Sequence, residues 1–433
     1  MNAGEAASAA SAAAGASNHA AAPIDWKPED PATLADPYPL FARMRDVDPC
    51  HWSPRLKSWV LTRYDDVKRV CLDRERVSSD RLRPFFAAMP GAEAARIGDI
   101  VRYLSLWMVF MDPPQHTRLR RLSAKVFSAK AMQAMRPQAQ ALSDHLLAGL
   151  DGRERIDLVA DYAGPLPCLV IMAMLGVPRA SLAEVKRLSD EIALFIGSSR
   201  TSPEKYDTAE AATQAMAAFF RDLIDQRRAR PAADALSELV HLQDDDGERF
   251  SDDELVATCI LMLFAGHETT TNHIANGMRS LMRFPGEMRR LRADPTLAAA
   301  AVEELLRFDG PSGAQVRIVT QGHTLHGKAL EPGQRVFLML NAANRDPRAY
   351  AEPDRLDLGR EGVPHLAFGF GLHICLGFPL ARTEGAVAFP ALLAHYAEIA
   401  PDWDVGDPAS APEWINSLVF RGMKCLPVKV RRP

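Results

Sequence analysis

Residues 365–382, HLAFGFGLHICLGFPLAR, place one cysteine in a run that spells Phe-Gly-x-Gly-x-His-x-Cys-x-Gly from Phe368 to Gly377. Glycine tolerates positive φ and lets a flat partner approach the backbone closely. Bends of this kind expose backbone amides to the sulfur of Cys375, and a helix that begins just beyond it would also favour the thiolate. The joint occurrence of these residues predicts an axial thiolate ligand to iron, not an ordinary glycine-rich turn with a structural cysteine.

A second stretch, AGHETTTNH at residues 265–273, overlaps the end of the apolar run LVATCILMLFAG (255–266) and continues it with polar residues. A zinc-protease helix needs a second histidine four residues after His267, but Thr271 stands there. His273 lies roughly 600° of helical rotation from His267, on another face. The zinc hydrolase interpretation is therefore disfavoured. Because the preceding run is apolar on every face, we expect these polar side chains either to line a cavity or to have polar partners.

Helical patterns dominate the chain, and short strand-like pieces are few, so the sequence predicts a mainly α fold with small β-sheets. Apolar residues at three- and four-residue spacing predict helices at 129–150 and 210–229. The strand-like pieces are SWVLTR (58–63), QRVFLML (334–340) and the terminal CLPVKV.

One helix is predicted to be unusually long. Ser251 followed by Glu254 forms a capping box, and the helical pattern then runs to Pro285. About 34 residues at 1.5 Å each span roughly 50 Å, which is enough to cross a whole domain. The acidic stretch just before it, residues 242–250, is predicted to be a solvated connection.

Composition excludes several function classes. The 433 residues carry a net charge of −4, so no nucleic-acid partner is expected. Six scattered cysteines without a CxxC pair suit a reducing cytoplasm. No stretch reaches the ~18 apolar residues of a membrane span, so no membrane attachment is expected. Residues 1–22 are alanine-rich and are predicted to be a disordered tail, leaving 23–433 as the functional domain.

With these stretches in hand, the chain resembles the cytochrome P-450 family of soluble, bacterial-type haem-thiolate monooxygenases. The resemblance extends from about residue 30 to the end of the chain. It implies a single large domain whose long central helix crosses over a haem b (iron protoporphyrin IX). Cys375 would be the axial ligand of the iron.

The AGHETT stretch resembles the oxygen-activation motif of the family. Carried over by position, Ala265 and Gly266 would lie over the haem, where small residues leave room for dioxygen. Glu268 and Thr269 would be the acid and the alcohol that deliver protons while bulk water is excluded. His267 fills a variable position and is interpreted as structural.

The stretch MDPPQHTRLRRL (111–122) resembles the haem-contacting helix of the family. Potential cationic donors on three segments would suit a ligand with two carboxylates. The resemblance assigns haem binding to His116, Arg120, Arg317, His373, Phe368 and Gly369.

A further element of the resemblance is structural. Glu304 and Arg307 lie one helical turn apart, and the family pattern locks them with a later arginine, here Arg355, into a buried network under the cysteine loop. These three residues are predicted to serve folding and haem retention, not chemistry.

The implied reaction inserts one atom of O2 into a small apolar molecule, by hydroxylation or epoxidation, in a monomeric enzyme. Electrons would come from NAD(P)H through a ferredoxin reductase and a ferredoxin. Arg118, Arg121 and Lys125 are hypothesised to form a basic patch for the acidic ferredoxin. The alternatives are a peroxide-dependent or radical-coupling haem-thiolate enzyme and a haem-bound sensor or carrier, for neither of which a Glu268-Thr269 pair would be needed.

By the same resemblance, the substrate pocket would be lined by residues from 81–108, 185–215, the stretch after Arg307, and 416–420. The apolar side chains expected there are Phe85, Phe86, Leu104, Leu106, Trp107, Val316 and Phe420. Arg81 and Arg83 are expected to be flexible surface arginines, with an anchor for an anionic group of the substrate as the alternative.

Overall fold

The computed structural model describes residues 24–197 and 203–433. The predicted tail at 1–22 lies outside these residues. Among the described residues, no helix is long and apolar enough to cross a bilayer.

Helices make up most of the described chain. They are α1 (Pro31–Ala35), α2 (Tyr38–Val47), α3 (Tyr64–Leu72), α4 (Leu82–Ala87), α5 (Gly91–Ala95), α6 (Gly98–Leu104), α7 (Gln115–Val126), α8 (Ala129–Ala134), α9 (Arg136–Ala148), α10 (Pro165–Leu175), α11 (Leu182–Gly197), α12 (Pro203–Ala229), α13 (Ala235–His241), α14 (Asp252–Arg283), α15 (Pro285–Ala293), α16 (Ala298–Asp309), α17 (Leu340–Ala343) and α18 (Phe378–His395).

The strands are short and form small sheets, as predicted. They are β1 (Cys50–Ser53), β2 (Ser58–Leu61), β3 (Val77–Ser78), β4 (Arg155–Asp157), β5 (Ala314–Val319), β6 (His323–Leu325), β7 (Lys328–Leu330), β8 (Arg335–Met339), β9 (Glu398–Pro401) and β10 (Pro427–Arg431). A five-stranded sheet has the order β1-β2-β8-β5-β3, a second sheet has the order β4-β10-β9, and β6 pairs with β7. Among the described strands, only β2 and β8 run parallel; the other neighbouring strands in these sheets are antiparallel.

The long helix α14 begins and ends where the sequence predicts. The Ser251 hydroxyl accepts a bond from the Glu254 amide at 3.3 Å, and the Glu254 carboxylate accepts one from the Ser251 amide at 2.8 Å. The helix ends at Arg283, and Pro285 then opens α15 because proline is tolerated in a first helical turn. Its 32 residues are buried along most of their length, which makes α14 the central element of the domain.

The main hydrophobic core surrounds α14 and joins it to α9, α10, α16 and α18. A second apolar cluster lies between the five-stranded sheet and α3. The long helix and the cysteine-bearing segment before α18 are therefore held in one packed unit.

Two expectations about local structure need correction. Residues 129–150 form two helices instead of one, because α8 ends at Ala134 and Pro137 stands in the first turn of α9. The acidic stretch 242–250 is not merely solvated, because its carboxylates form ion pairs with α7, as described below.

Candidate functional site

A large cavity opens between α14 and the cysteine loop. It holds about 1250 Å³ of atom-free space, part of it open to solvent. Small-molecule sites are typically concave and mostly apolar with a few polar groups, and this cavity has that character. Cys375 lines it from one segment, and Ala265, Gly266 and Thr269 line it from α14.

The cysteine loop positions its sulfur as the glycine pattern predicts. Gly369 and Gly371 have φ of +71° and +72°, and a side chain at Gly369 would overlap Gln315. Backbone amides of Gly377 and Phe378 donate to Cys375, and together with the Arg120 cation they oppose the burial that raises the pKa of this thiol. The sulfur therefore has donors for a thiolate, and coordination to a metal ion would complete its deprotonation.

Several cationic or basic side chains surround the same loop without a counter-charge. Arg120 and Arg317 form no ion pair with any residue in the described ranges, and Arg317 donates only to Val316 and Gln315 oxygens. The His116 and His373 rings lie 4.3 Å apart between centroids. Both nitrogens of His116 are buried without a hydrogen-bond partner.

The pKa shifts in this cluster indicate that an anionic partner is missing. Burial and the Arg120 charge lower the pKa of His116 to about 4. Burial, Arg317 and His116 lower the pKa of His373 to about 3. These basic side chains repel one another when they are charged, and the buried nitrogens of His116 have no hydrogen-bond partner. A ligand that carries carboxylates would satisfy both. The thiol and these donors together fit a haem, whose iron takes a thiolate and whose propionates take cations.

The α14 wall of the cavity is built from small residues. At Gly266 an added Cβ would lie 3.1 Å from Ile171 of α10, so glycine permits the close crossing of the two helices. The Thr269 hydroxyl donates to the Ala265 carbonyl at 2.9 Å. This bond fixes the hydroxyl and leaves its oxygen available as an acceptor toward the cavity.

Glu268 does not line the cavity but lies beside α11. Burial and the neighbouring Asp190 raise the pKa of Glu268 to about 7, while Lys186 opposes the shift. Burial and Lys186 lower the pKa of the adjacent His267 to about 3. Glu268 can therefore hold a proton near neutral pH, whereas His267 is neutral.

The buried network of Glu304 and Arg307 contains a different third arginine from the one expected. Arg307 binds the Glu304 carboxylate through two bonds of 2.7 and 2.8 Å, and both side chains are 2% exposed. The third guanidinium is that of Arg360, whose Nε donates to Glu304 at 3.1 Å. Arg355 contributes only its carbonyl and turns its side chain, 60% exposed, to Glu352. The assignment of Arg355 was wrong, because spacing does not reveal which arginine turns inward.

Two buried polar side chains of the cavity were missed as site residues. Both oxygens of Glu384 on α18 are buried without a hydrogen bond, although Thr270 lies beside them, and burial raises its pKa well above the usual value. His273 also lines the cavity with both nitrogens unpaired. A signal existed for Glu384, since it is the one acidic residue in the 18-residue sequence of α18.

The expected apolar lining also differs. Trp107 packs inside the core against Phe110 and Phe264, and Leu104 is fully buried there. None of the apolar side chains expected from the resemblance is among the described residues that line the cavity. Apolar residues that do line it include Met108, Val109, Ile171, Leu261, Met262, Leu306 and Pro311.

The hypothesised basic patch on α7 is neutralised within the chain. Arg118 pairs with Glu254 and Glu248, both at 2.8 Å. Arg121 pairs with Asp244 and Asp246, and Lys125 with Asp245. The acidic residues that pair with Arg121 and Lys125 belong to the stretch 242–250. This stretch therefore neutralises the positive charge that an acidic ferredoxin would need.

Comparison with known proteins agrees with this geometry. The sequence profile of the family described as Cytochrome P450 matches residues 50–413. Cytochrome P450 monooxygenase PikC of Streptomyces venezuelae is 37% identical over 409 residues, which cover 92% of each chain. Vitamin D(3) 25-hydroxylase of Pseudonocardia autotrophica is 38% identical over 396 residues, covering 91% of this chain and 93% of the relative.

Solved structures give the same result. The crystal structure of CalO2 superposes with a TM-score of 0.85 at 29% identity, covering 94% of this chain and 99% of that one. A long helix above a cysteine loop, a profile match over most of the chain and relatives of full length all point the same way. The chain belongs to the cytochrome P450 family of haem-thiolate monooxygenases.

Proposed function

We propose that this protein uses haem b and O2 to insert one oxygen atom into an apolar small molecule, with electrons from NAD(P)H through a ferredoxin. The observation that carries the proposal is a single cavity lined both by the Cys375 thiol and by the small Ala265-Gly266 wall with Thr269. The bound haem supplies the oxygen chemistry; the protein supplies position, water exclusion and protons.

The haem would be held by residues that otherwise lack partners. His116, Arg120, Arg317 and His373 would take the two propionates, and Phe368 and Gly369 would shape the loop that approaches the ring. The unpaired nitrogens of His116 and the absence of counter-charges around Arg120 support this assignment among the described residues.

Proton supply would run from α11 toward the cavity. Glu268 holds a proton near neutral pH because burial and Asp190 raise its pKa to about 7. Thr269, anchored to the Ala265 carbonyl at 2.9 Å, can position a water at the cavity wall. Glu268 would release its proton to such a water, and its carboxylate would then be reprotonated from the solvent side.

The substrate is proposed to be a bulky apolar molecule. The lining contains six leucine or isoleucine side chains and three methionines, and methionine adapts its shape readily. The relative named for vitamin D(3) hydroxylation acts on a molecule of this kind.

Ferredoxin is proposed to dock beside the cysteine loop instead of on the paired cations of α7. Arg74 acts on the charge of His373, and Arg136 lies beside Phe378. Both are exposed cations near this loop, and neither forms an ion pair with a described residue. Leu72, 51% exposed, adds an apolar contact at the same face, next to Gly371. Unpaired positive charge with an apolar centre suits an acidic protein partner.

The first test is the absorption spectrum of the dithionite-reduced protein with and without carbon monoxide. We expect a strongly red-shifted Soret band, and we expect Cys375→His to move it to the position typical of histidine-ligated haem. A wild-type spectrum that already has the histidine-type position would contradict thiolate ligation.

A peroxide-dependent enzyme is the alternative, and Thr269→Ala separates the two. Loss of the hydroxyl should divert electrons from NAD(P)H into hydrogen peroxide while substrate conversion driven by added peroxide continues. Equal product per NAD(P)H in both proteins would refute the proton-delivery role of Thr269.

A further inference from the structure

Three side chains that could bind one cation converge where α14 meets α11. Asp190, His267 and Glu268 each place a ligand atom within 4.8 Å of the other two. Within residues 24–197 and 203–433, no other group of three or more histidine, cysteine, aspartate or glutamate side chains is this compact. This group differs from a zinc-protease helix, in which two histidines four residues apart bind the metal, because it has one histidine, an adjacent glutamate and an aspartate from α11.

The main indication that this group binds a ligand comes from its histidine. His267 is 1% exposed, and its Nε2 has no hydrogen-bond partner. Its Nδ1 reaches the Ser189 hydroxyl only at 3.5 Å. A buried ring nitrogen left without a partner costs free energy, and an ion is one of the groups that satisfies such an atom.

The two carboxylates place like charges beside this imidazole. Asp190 is one of the groups that raise the pKa of Glu268, which means that the carboxylates repel each other. The counter-charge present is Lys186, 2.7 Å from Asp190 in an exposed ion pair. Exposed pairs of this kind contribute little to stability, so a cation that binds all three ligands can displace the ammonium group.

We propose that Asp190, His267 and Glu268 form a binding site for a divalent transition-metal cation of the zinc class. One imidazole nitrogen and two carboxylate oxygens are ligands that Zn²⁺ accepts, with water in the fourth position. The imidazole favours Zn²⁺ over the hard cations Mg²⁺ and Ca²⁺, which prefer oxygen ligands alone.

An occupied site would also affect turnover, and this consequence rests on the proposed function. Glu268 cannot deliver protons while its carboxylate binds a cation. Zinc should therefore slow product formation reversibly, and a chelator should restore the rate. The cation would act as an inhibitor that enters from the α11 side, outside the haem cavity.

The binding test uses the haem-loaded protein without an affinity tag and titrates it with ZnSO4 by calorimetry. We expect one Zn²⁺ per chain, and Asp190→Asn should weaken binding by at least about tenfold. Lys186→Met should tighten binding, because it removes the competing ammonium group. Equal zinc affinity in the wild type and both variants would overturn the site.

X-ray absorption of the bound zinc identifies its ligands independently. Imidazole and oxygen scattering without sulfur supports the site, whereas sulfur ligands would assign the zinc to a cysteine and overturn it. MgCl2 at the same concentrations serves as the hard-cation control, and binding as tight as that of Zn²⁺ would also contradict the proposal.

Inhibition is measured separately in wild type and in Asp190→Asn, each against its own zinc-free rate. Zinc that inhibits only the wild type supports both the site and the role of Glu268. Zinc that binds with the expected ligands but leaves turnover unchanged would overturn the role of Glu268 in proton delivery, while the cation site stands.

Discussion

Glu268 is the side chain whose protonation should govern the rate. Its pKa is raised to about 7 by burial and by Asp190, so the carboxyl is protonated below that pH and loses its proton above it. As a proton donor it should make kcat fall as the pH rises through about 7. Glu268→Gln should lower kcat by roughly 10²-fold and remove this inflection.

Measurement of kcat between about pH 6 and 9, with saturating substrate and ferredoxin and a chelator present, checks this expectation. Asp190→Asn is the matched control. Because Asp190 raises the pKa of Glu268, removing its charge should shift the inflection to lower pH without abolishing it. An inflection that survives in Glu268→Gln belongs to another group.

Single residues also show the limit of inference from sequence. Cys375, Gly369 and Thr269 could be proposed from the sequence because their chemistry is tied to a fixed local spacing. Arg355 and Arg360 stand in the same loop, five residues apart, and only the folded backbone determines which guanidinium reaches Glu304. Side chains whose partners are distant in sequence could not be assigned in this way.

At the scale of elements, the crossing of α10 and α14 depends on Gly266. Gly266→Ala would bring a methyl group to 3.1 Å from Ile171 Cγ1, and overpacking of this kind costs about 1–3 kcal/mol. In an Ile171→Ala background the contact is gone, so the same change should stabilise by up to about 1 kcal/mol through helix propensity. Urea unfolding midpoints of the four proteins test this coupling; additive effects would contradict it.

The connection between α16 and the segment before the cysteine loop depends on Arg360. Its guanidinium donates to Glu304 and to the Ala351, Glu352 and Arg355 carbonyls. Arg360→Ala should lower the free energy of unfolding by about 1–3 kcal/mol and speed haem loss.

Arg355→Ala is the matched control for the same loop. Its exposed side chain should make the change nearly neutral, within about 0.5 kcal/mol. Stability is followed by urea unfolding and haem loss by transfer to apomyoglobin. If Arg355→Ala lowered the free energy of unfolding and sped haem loss more than Arg360→Ala, the sequence-based assignment of Arg355 to the network would be restored.

Elements with a local signal were predicted well. The capping box located the start of α14 because both of its bonds join residues three apart. The break between α8 and α9 was missed because apolar spacing continues across it, although Pro137 in the first turn of α9 indicated a new helix. The acidic stretch 242–250 was misjudged because its partners on α7 lie more than 100 residues away in sequence.

At the scale of the whole molecule, the face around the cysteine loop should govern electron transfer. Arg136 is exposed and lines a surface groove with Phe378 and Arg382. Arg136→Glu should raise the apparent KM for ferredoxin by about tenfold at low salt, with a smaller effect at high salt. The comparison is Arg230→Glu, a change of the same charge just beyond the end of α12.

Steady-state rates with varied ferredoxin check this prediction. A KM that changes equally in both variants would show that net charge, not this face, controls docking. Unchanged KM in Arg136→Glu would remove Arg136 from the proposed docking surface.

The overall architecture was predictable, but the wall of the cavity was not. Periodicity and the resemblance indicated a helical domain with small sheets, which the structure confirms. The apolar lining depends on how distant segments pack, and Trp107 and Leu104 belong to the core instead of the cavity. Long-range packing is the part of the fold that a single sequence specifies least directly.

Because ion pairs join α7 to residues 244–248, the rate of haem loss should depend on ionic strength. His116 and Arg120 face the cavity from α7, while its Arg121 and Lys125 are tied to this acidic stretch. Raising salt from 0.1 to 1 M shortens the screening length from about 10 to 3 Å, so these partly exposed contacts weaken before the buried ones. Haem should therefore leave faster as salt rises, before the domain itself unfolds.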